Sequence, residues 1–147
     1  MSALITQTDA QPPFDPVYFE TVFLVPSPPS PWPSRFAIVT AHNPDGRIAP
    51  DQANNEYERA LAEHLRRERI DSFAVVGASP DLRHHEAGRG FAFADLSVAA
   101  DVSARFRQRA FYVIDLGVIF LCVDGSGRGW EVGEWRERLR TAARGGM

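Results

Sequence analysis

Phe36-Ala37-Ile38-Val39-Thr40-Ala41-His42-Asn43-Pro44-Asp45-Gly46 changes character half-way along. The first half is apolar and rich in β-branched residues. The second half is polar and built of turn formers. That contrast predicts a buried strand delivering Thr40, His42 and Asn43 to the rim of a sheet. Asn43-Pro44-Asp45-Gly46 is turn chemistry, because Asn bonds its own backbone, Pro presets φ, and Gly takes conformations other residues avoid. Beyond the turn, Pro50 suits a first helical position and Asp51 the positive end of the dipole. Tyr57, Ala60, Leu61, His64 and Leu65 then fall on one helical face. The helix is expected to end near Arg69, with Arg66, Arg67 and Arg69 at its negative end.

Working outward, Ser72–Gly77 reads as a short strand. Leu82–Gly90 is polar and reads as a loop, and Phe91–Ala94 as the next strand. Ser97 is positioned to cap a second helix carrying Val98, Val102 and Phe106 on one face. Ala110–Ile114 and Val118–Val123 read as a hairpin turned by Asp115-Leu116-Gly117. The glycine-rich Gly125–Gly129 fits neither phosphate-binding loop pattern and reads as a flexible linker. Val132, Trp135, Leu139 and Ala142 mark a C-terminal amphipathic helix. The order from Phe36 to Ile114 is therefore β-α-β-β-α-β. It predicts an α+β fold with a ferredoxin-like core, one extra strand at each end (Val22–Val25 before it) and the C-terminal helix after it. Residues 1–13 read as a disordered leader, and 14–147 as a single domain.

The 147 residues carry a formal charge of −3, are 44% hydrophobic and are 24% charged, ordinary values for a globular chain. An acidic balance argues against a dedicated nucleic-acid binder. All 16 basic residues are Arg. With no Lys there is no Schiff-base chemistry and no P-loop lysine. Cys122 is the one cysteine. No intrachain disulfide or thiolate cluster can form, which suits a reducing compartment, and Cys122 within an apolar strand reads as core. The start of the chain lacks a signal-peptide pattern, and no apolar run is long enough to span a bilayer. Together these readings place the protein in the cytoplasm.

The densest titratable cluster is His84-His85-Glu86. A Glu–His pair suits proton transfer near neutral pH, with Glu86 as the base and His85 or His42 as the proton carrier. The same residues with His42 could be offered to a metal, but no established ligand spacing is present, so no metal is assigned. An exposed loop after Pro80 is the plain alternative. Asn43 and Asn54 are read either as ligand contacts or as a fastening of turn to helix. Gln108 is read as a buttress of the same rim or as an exposed helix end. Pro26-Ser27-Pro28-Pro29-Ser30-Pro31-Trp32-Pro33 excludes regular structure and reads as a stiff connector, with docking of a protein partner as its other use.

Thr40-Ala41-His42-Asn43-Pro44, then Asn54 or Asn55 and Leu61, then His85-Glu86, then Phe106-Arg107-Gln108-Arg109-Ala110 resemble the bacterial family known as domain of unknown function 3293. The resemblance runs from about Tyr18 to Val123. The family pattern has Thr-Ala-x-Asn-Pro, a Glu followed shortly by Ser-Phe, and Phe-Gly-Gln-x-Ala. Here Ala87-Gly88-Arg89-Gly90-Phe91 follows the Glu, and Arg107 stands at the Gly position. The resemblance brings no activity, cofactor or partner.

The expectation is a cytoplasmic module binding a small polar ligand at a rim formed by Thr40, His42, Asn43, Asn54, His85, Glu86 and Gln108, with Glu86 as its charged anchor. The alternatives are a small enzyme using Glu86 with His85 or His42, and a protein-interaction domain using Pro26–Pro33. Nucleic acid and membrane are not expected partners. Ligand, reaction, cofactor and oligomeric state stay open.

Overall fold

Phe36, Ala37, Ile38 and Val39 are all buried, which requires protein on both faces of their strand. The computed structural model, which describes residues 3–13 and 15–141, meets that requirement with one nine-stranded sheet. Its strands are β1 (Thr6–Gln7), β2 (Val22–Val25), β3 (Arg35–Thr40), β4 (Phe73–Ala78), β5 (His85–Phe91), β6 (Phe111–Asp115), β7 (Val118–Cys122), β8 (Arg128–Glu134) and β9 (Leu139–Thr141). Among the described residues there are three α-helices, α1 (Asp51–Arg67), α2 (Leu96–Arg105) and the single turn α3 (Trp135–Arg138). The strand order is β1-β8-β7-β6-β3-β5-β4-β2-β9, so β3 is central.

The sheet must curl. β8 and β9 are seven places apart, yet only α3 joins them. Seven flat strand spacings span about 33 Å. The five links from Glu134 to Leu139 reach at most about 18 Å. A half-barrel reconciles the two lengths. Its concave face holds Phe23, Val25, Phe36, Ile38, Val75, Ile114, Ile119 and Trp135. Trp32 packs there too, against Phe36, Phe73 and Trp135, with ring centroids 5.6–5.7 Å apart. The proline-rich segment thus places its one large side chain in the aromatic core. The other face carries both longer helices: Leu61 and Leu65 from α1, and Leu96, Ala99 and Val102 from α2, pack on Ala37, Val39, Phe91 and Val113.

The ferredoxin-like expectation is overturned by this sheet. Nine strands curled into a half-barrel replace a small core with one strand added at each end. The C-terminal helix is also corrected. Val132, Trp135 and Leu139 do fit a helical period, but Trp130 and Val132 also alternate with Glu131 and Gly133, and the strand wins. A Cβ on Gly129 would sit 3.0 Å from Cys122 Sγ and 3.1 Å from Leu121 O, so β8 lies closely on β7. Ala142, the last residue of the expected helical face, lies outside the described residues, as do 143–147, Met1, Ser2 and Phe14.

Three smaller readings change. His85–Gly90, taken as loop, is most of β5. Its glycines suggested a loop, but they are there for space: a Cβ on Gly88 would lie 2.4 Å from Val39 O, and one on Gly90 2.5 Å from the Phe73 ring. Asp95, not Ser97, caps α2, accepting the Ser97 N–H at 2.9 Å. Gly125–Gly129 includes the close turn from β7 into β8, with Gly127 at φ +89° and Asp124 accepting the Ser126 N–H at 3.0 Å.

Within the stretch read as a leader, Leu4 to Thr8 is tied down. Thr6 and Gln7 pair in parallel with Arg128 and Gly129. The backbone N–H groups of Leu4 and Ile5 donate to Asp115 Oδ2 at 2.6 and 2.8 Å, and Arg35 Nε donates to Asp115 Oδ1 at 2.8 Å. Burial alone would raise the Asp115 pKa. The Arg35 bond, the two amides and the Arg35 charge outweigh it and hold the carboxyl below the usual range.

Two outcomes follow for stability. Leu61 is fully buried, so Leu61→Ala should cost about 2–5 kcal/mol in denaturant unfolding; a loss under about 0.5 kcal/mol would place it on the surface. Asp115→Ala removes the Arg35 ion pair and takes the acceptor from the Leu4 and Ile5 N–H groups, and should cost about 1–3 kcal/mol. A depressed folded-state pKa means that this contribution is complete above the unfolded carboxyl value of about 3.9 and fades as pH falls through the lower folded value. The gap between wild type and variant should therefore close on acidification and stay constant from pH 5 to 7; a gap that widens in acid contradicts the assignment.

Candidate functional site

At the end of β3 the chain leaves the sheet through Ala41 and His42 and enters a turn. Asn43 adopts the left-handed conformation (φ 49°), which Asn tolerates better than most residues. Its N–H donates to Asn54 Oδ1 at 2.8 Å, and Asn54 Nδ2 returns a bond to Asn43 Oδ1 at 3.0 Å. Ala49 N also donates to Asn43 Oδ1, and Asn54 Nδ2 to Ala49 O. Asn54 is buried. The two amides are thus occupied with each other and with the turn, so they fasten β3 to α1 and have little left for a ligand.

A second fastening comes from α2. Both longer helices end in a Schellman motif. In α2, Arg107 N donates to Ala104 O and Gln108 N to Ser103 O, both at 3.0 Å, with Arg107 at φ +58°. This places Gln108 under the turn. Its Nε2 donates to His42 O at 3.0 Å and Phe106 O at 3.1 Å, and its Oε1 accepts from Thr40 Oγ1 at 2.8 Å. Asp45 N donates to Arg107 O at 2.8 Å, and the Arg107 and Asp45 side chains form an ion pair.

Residues 39–111 match the family model described as Protein of unknown function (DUF3293). Over that segment the chain resembles the family, as the residue pattern implied. The match spans the two fastenings entirely. Thr40, Asn43, Pro44, Phe106 and Gln108, the residues that carry the pattern, are the ones that knit β3, the turn, α1 and the end of α2. The Gly of the family pattern also has a physical reason, since Arg107 at that position sits in the left-handed region glycine favours. No curated protein and no solved structure matches the chain.

Glu86 lies at the edge of the same cluster. In β5 it opposes Gly77, and Gly88 opposes both Val75 and Thr40. Alternation puts Glu86, Gly88 and Gly90 on the concave face with the Phe73 ring. Thr40 Oγ1 approaches Glu86 Oε1 at 3.5 Å, at the limit of a hydrogen bond. Glu86 is exposed, yet loss of solvent around its carboxyl raises its pKa, only partly opposed by Thr40. Among the described residues no Arg or His forms an ion pair with it. Nearby Tyr112 donates to Tyr18 O at 2.8 Å, and burial, with the Glu86 charge among its smaller contributors, pushes its pKa to about 12.

The histidines divide. His85 shares its face with Ala87, Arg89 and Phe91, and Phe91 belongs to the helix-side core. The sheet therefore separates His85 from Glu86, and the two do not form an acid–base pair. His84 is exposed. His42 Nε2 is buried without a hydrogen-bond partner, and Glu58 Oε2 stands 3.9 Å away. Burial lowers the His42 pKa, against the raising effect of Glu58 and Asp51. Among the described residues, no group of three His, Cys, Asp or Glu is placed to hold a metal, and no helix is long and apolar enough to cross a membrane.

Sequence reasoning missed Glu58 facing His42, and Tyr112 beside Glu86. Glu58 was legible in principle, one turn beyond Asn54 on α1. Tyr112 was not, because its reach across the sheet depends on the curl. The fastening predicts a sharp contrast between neighbours. Asn54→Ala should cost about 1–3 kcal/mol, since it strands the Asn43 N–H. Asn55→Ala, one residue on and exposed, should stay within about 0.5 kcal/mol in the same melts.

Proposed function

We propose that this chain is a small-molecule-binding module whose anchor is Glu86, with Thr40 beside it and Gln108 holding Thr40 in place. The observation that carries this reading is geometric: the Glu86 carboxylate stands 3.5 Å from the Thr40 hydroxyl, which Gln108 holds from behind, and has no ion-pair partner among the described residues. An exposed carboxylate at a rim of fixed polar groups is open to a cation or a donor-rich ligand. The ligand class is cationic or rich in N–H and O–H donors. Asn43 and Asn54 support the rim and do not belong to the contact set. A cytoplasmic setting is part of the same proposal.

Glu86→Gln tests it. The substitution keeps the shape and removes the charge. A raised carboxyl pKa means that ionisation disfavours the fold, so the variant should melt no lower than wild type at pH 7. In a thermal-shift screen of amines, guanidines and polyols, a ligand at about 100 times its Kd should stabilise wild type by roughly 2.7 kcal/mol and stabilise the variant far less. Equal stabilisation of the two proteins would remove Glu86 from the site. If a ligand is turned over, and the variant binds it normally but reacts about 10²–10⁴-fold more slowly, Glu86 is a general base. Its proton carrier would then not be His85.

A further inference from the structure

The helix-side face carries a cluster unrelated to Glu86. Along α1 and its C-terminal cap, Asn55, Arg59, Ala62, Arg66 and Arg69 recur at steps of four, three, four and three. Such steps form one stripe, about 21 Å long, running along α1 and past its end. Two adjoining clefts, of about 390 and 320 Å³, run beside this stripe and share Ala62 and Arg89. Arg89 comes from β5 and is held in place: its Nε donates to Ser72 Oγ at 3.0 Å and its Nη2 to Ser72 O at 3.1 Å. Of the five N–H groups on a guanidinium, three remain for a ligand.

Arg69 lines the second cleft from just beyond the end of α1. It occupies the left-handed position after α1 (φ +59°), with its N–H on Arg66 O and that of Ile70 on Leu65 O, a second Schellman motif. Glycine is the favoured residue there. Leu82 and Leu116 are left-handed too, so that conformation alone marks no site; what places Arg69 in the groove is that it lines the cleft.

We propose that this groove binds a phosphorylated small molecule through Arg59, Arg66, Arg69 and Arg89. Guanidinium groups bond phosphate oxygens in pairs, and the combined size suits a small ligand. Glu58 and Asp71 line its two halves and Glu63 pairs with Arg66, a pair the ligand would have to exchange, so a continuing phosphate backbone would meet carboxylates. That favours a small phosphate ester over a nucleic acid, in agreement with the chain's net charge of −3.

Inorganic pyrophosphate is the probe, titrated calorimetrically into the full chain. Saturable binding at one site is expected. Arg69→Gly relaxes the backbone, so it should leave the melting temperature unchanged or higher while weakening pyrophosphate about tenfold. Arg59→Gln, at an exposed position, should weaken it similarly. Arg105→Gln, on α2, should have no effect. The proposal is overturned if pyrophosphate does not bind saturably, or if Arg105→Gln weakens it as much as Arg69→Gly does. It is also overturned if a short single-stranded oligonucleotide binds more tightly than pyrophosphate through the same arginines, since the groove would then be a polymer surface.

Discussion

β3 is covered on both faces, and the rest of the fold follows from that. Phe36 and Ile38 point into the concave aromatic core, while Ala37 and Val39 point under the helices. A shift of register by one residue would put two large side chains beneath the helices and leave the aromatic face short of them. The pairing is therefore strongly specified, with β5 on one side and β6 on the other. The small residues on the helix side allow α1 and α2 to approach. The large ones on the other side fill the volume that the curl encloses.

This two-sided burial also explains where polar chemistry can appear. A strand buried on both faces must shed its apolar character where it leaves the sheet, and β3 does so at Thr40. The residues just beyond could have been an unstructured loop. Instead the two asparagines and Gln108 satisfy the turn's backbone groups, which a buried loop cannot leave unpaired. The price of such an arrangement is that most of its polar atoms are occupied. Glu86 differs because it comes from a neighbouring strand and none of the fastening bonds depends on it.

Much of this was legible in the sequence. The apolar-to-polar switch at Thr40, the turn at Asn43, the helix from Asp51 and the hairpin about Leu116-Gly117 are local, and local signals suffice for them. The association of Asn43, Asn54 and Gln108 was legible through spacing and family resemblance. The nine-stranded architecture was not, because it rests on pairings such as β1 with β8 and β2 with β9, each more than 100 residues apart in the chain. No periodicity encodes those partners. Glycines misled in β5 and β8, where they mark close contact between strands and not an interruption.

The helix ends show how local rules and site chemistry interact. α1 and α2 terminate alike, and in each the left-handed residue is an arginine. At Arg107 the side chain pairs with Asp45 across the turn, an exposed pair that adds to the fastening. At Arg69 the conformation is the same, and the side chain faces a cleft shared with Arg66 and Arg89. The two faces of the sheet then carry opposite chemistries: a lone carboxylate on the concave rim, and grouped guanidinium side chains along the exposed flank of α1 on the other. The sheet keeps them apart, so the charge of one does not neutralise the other.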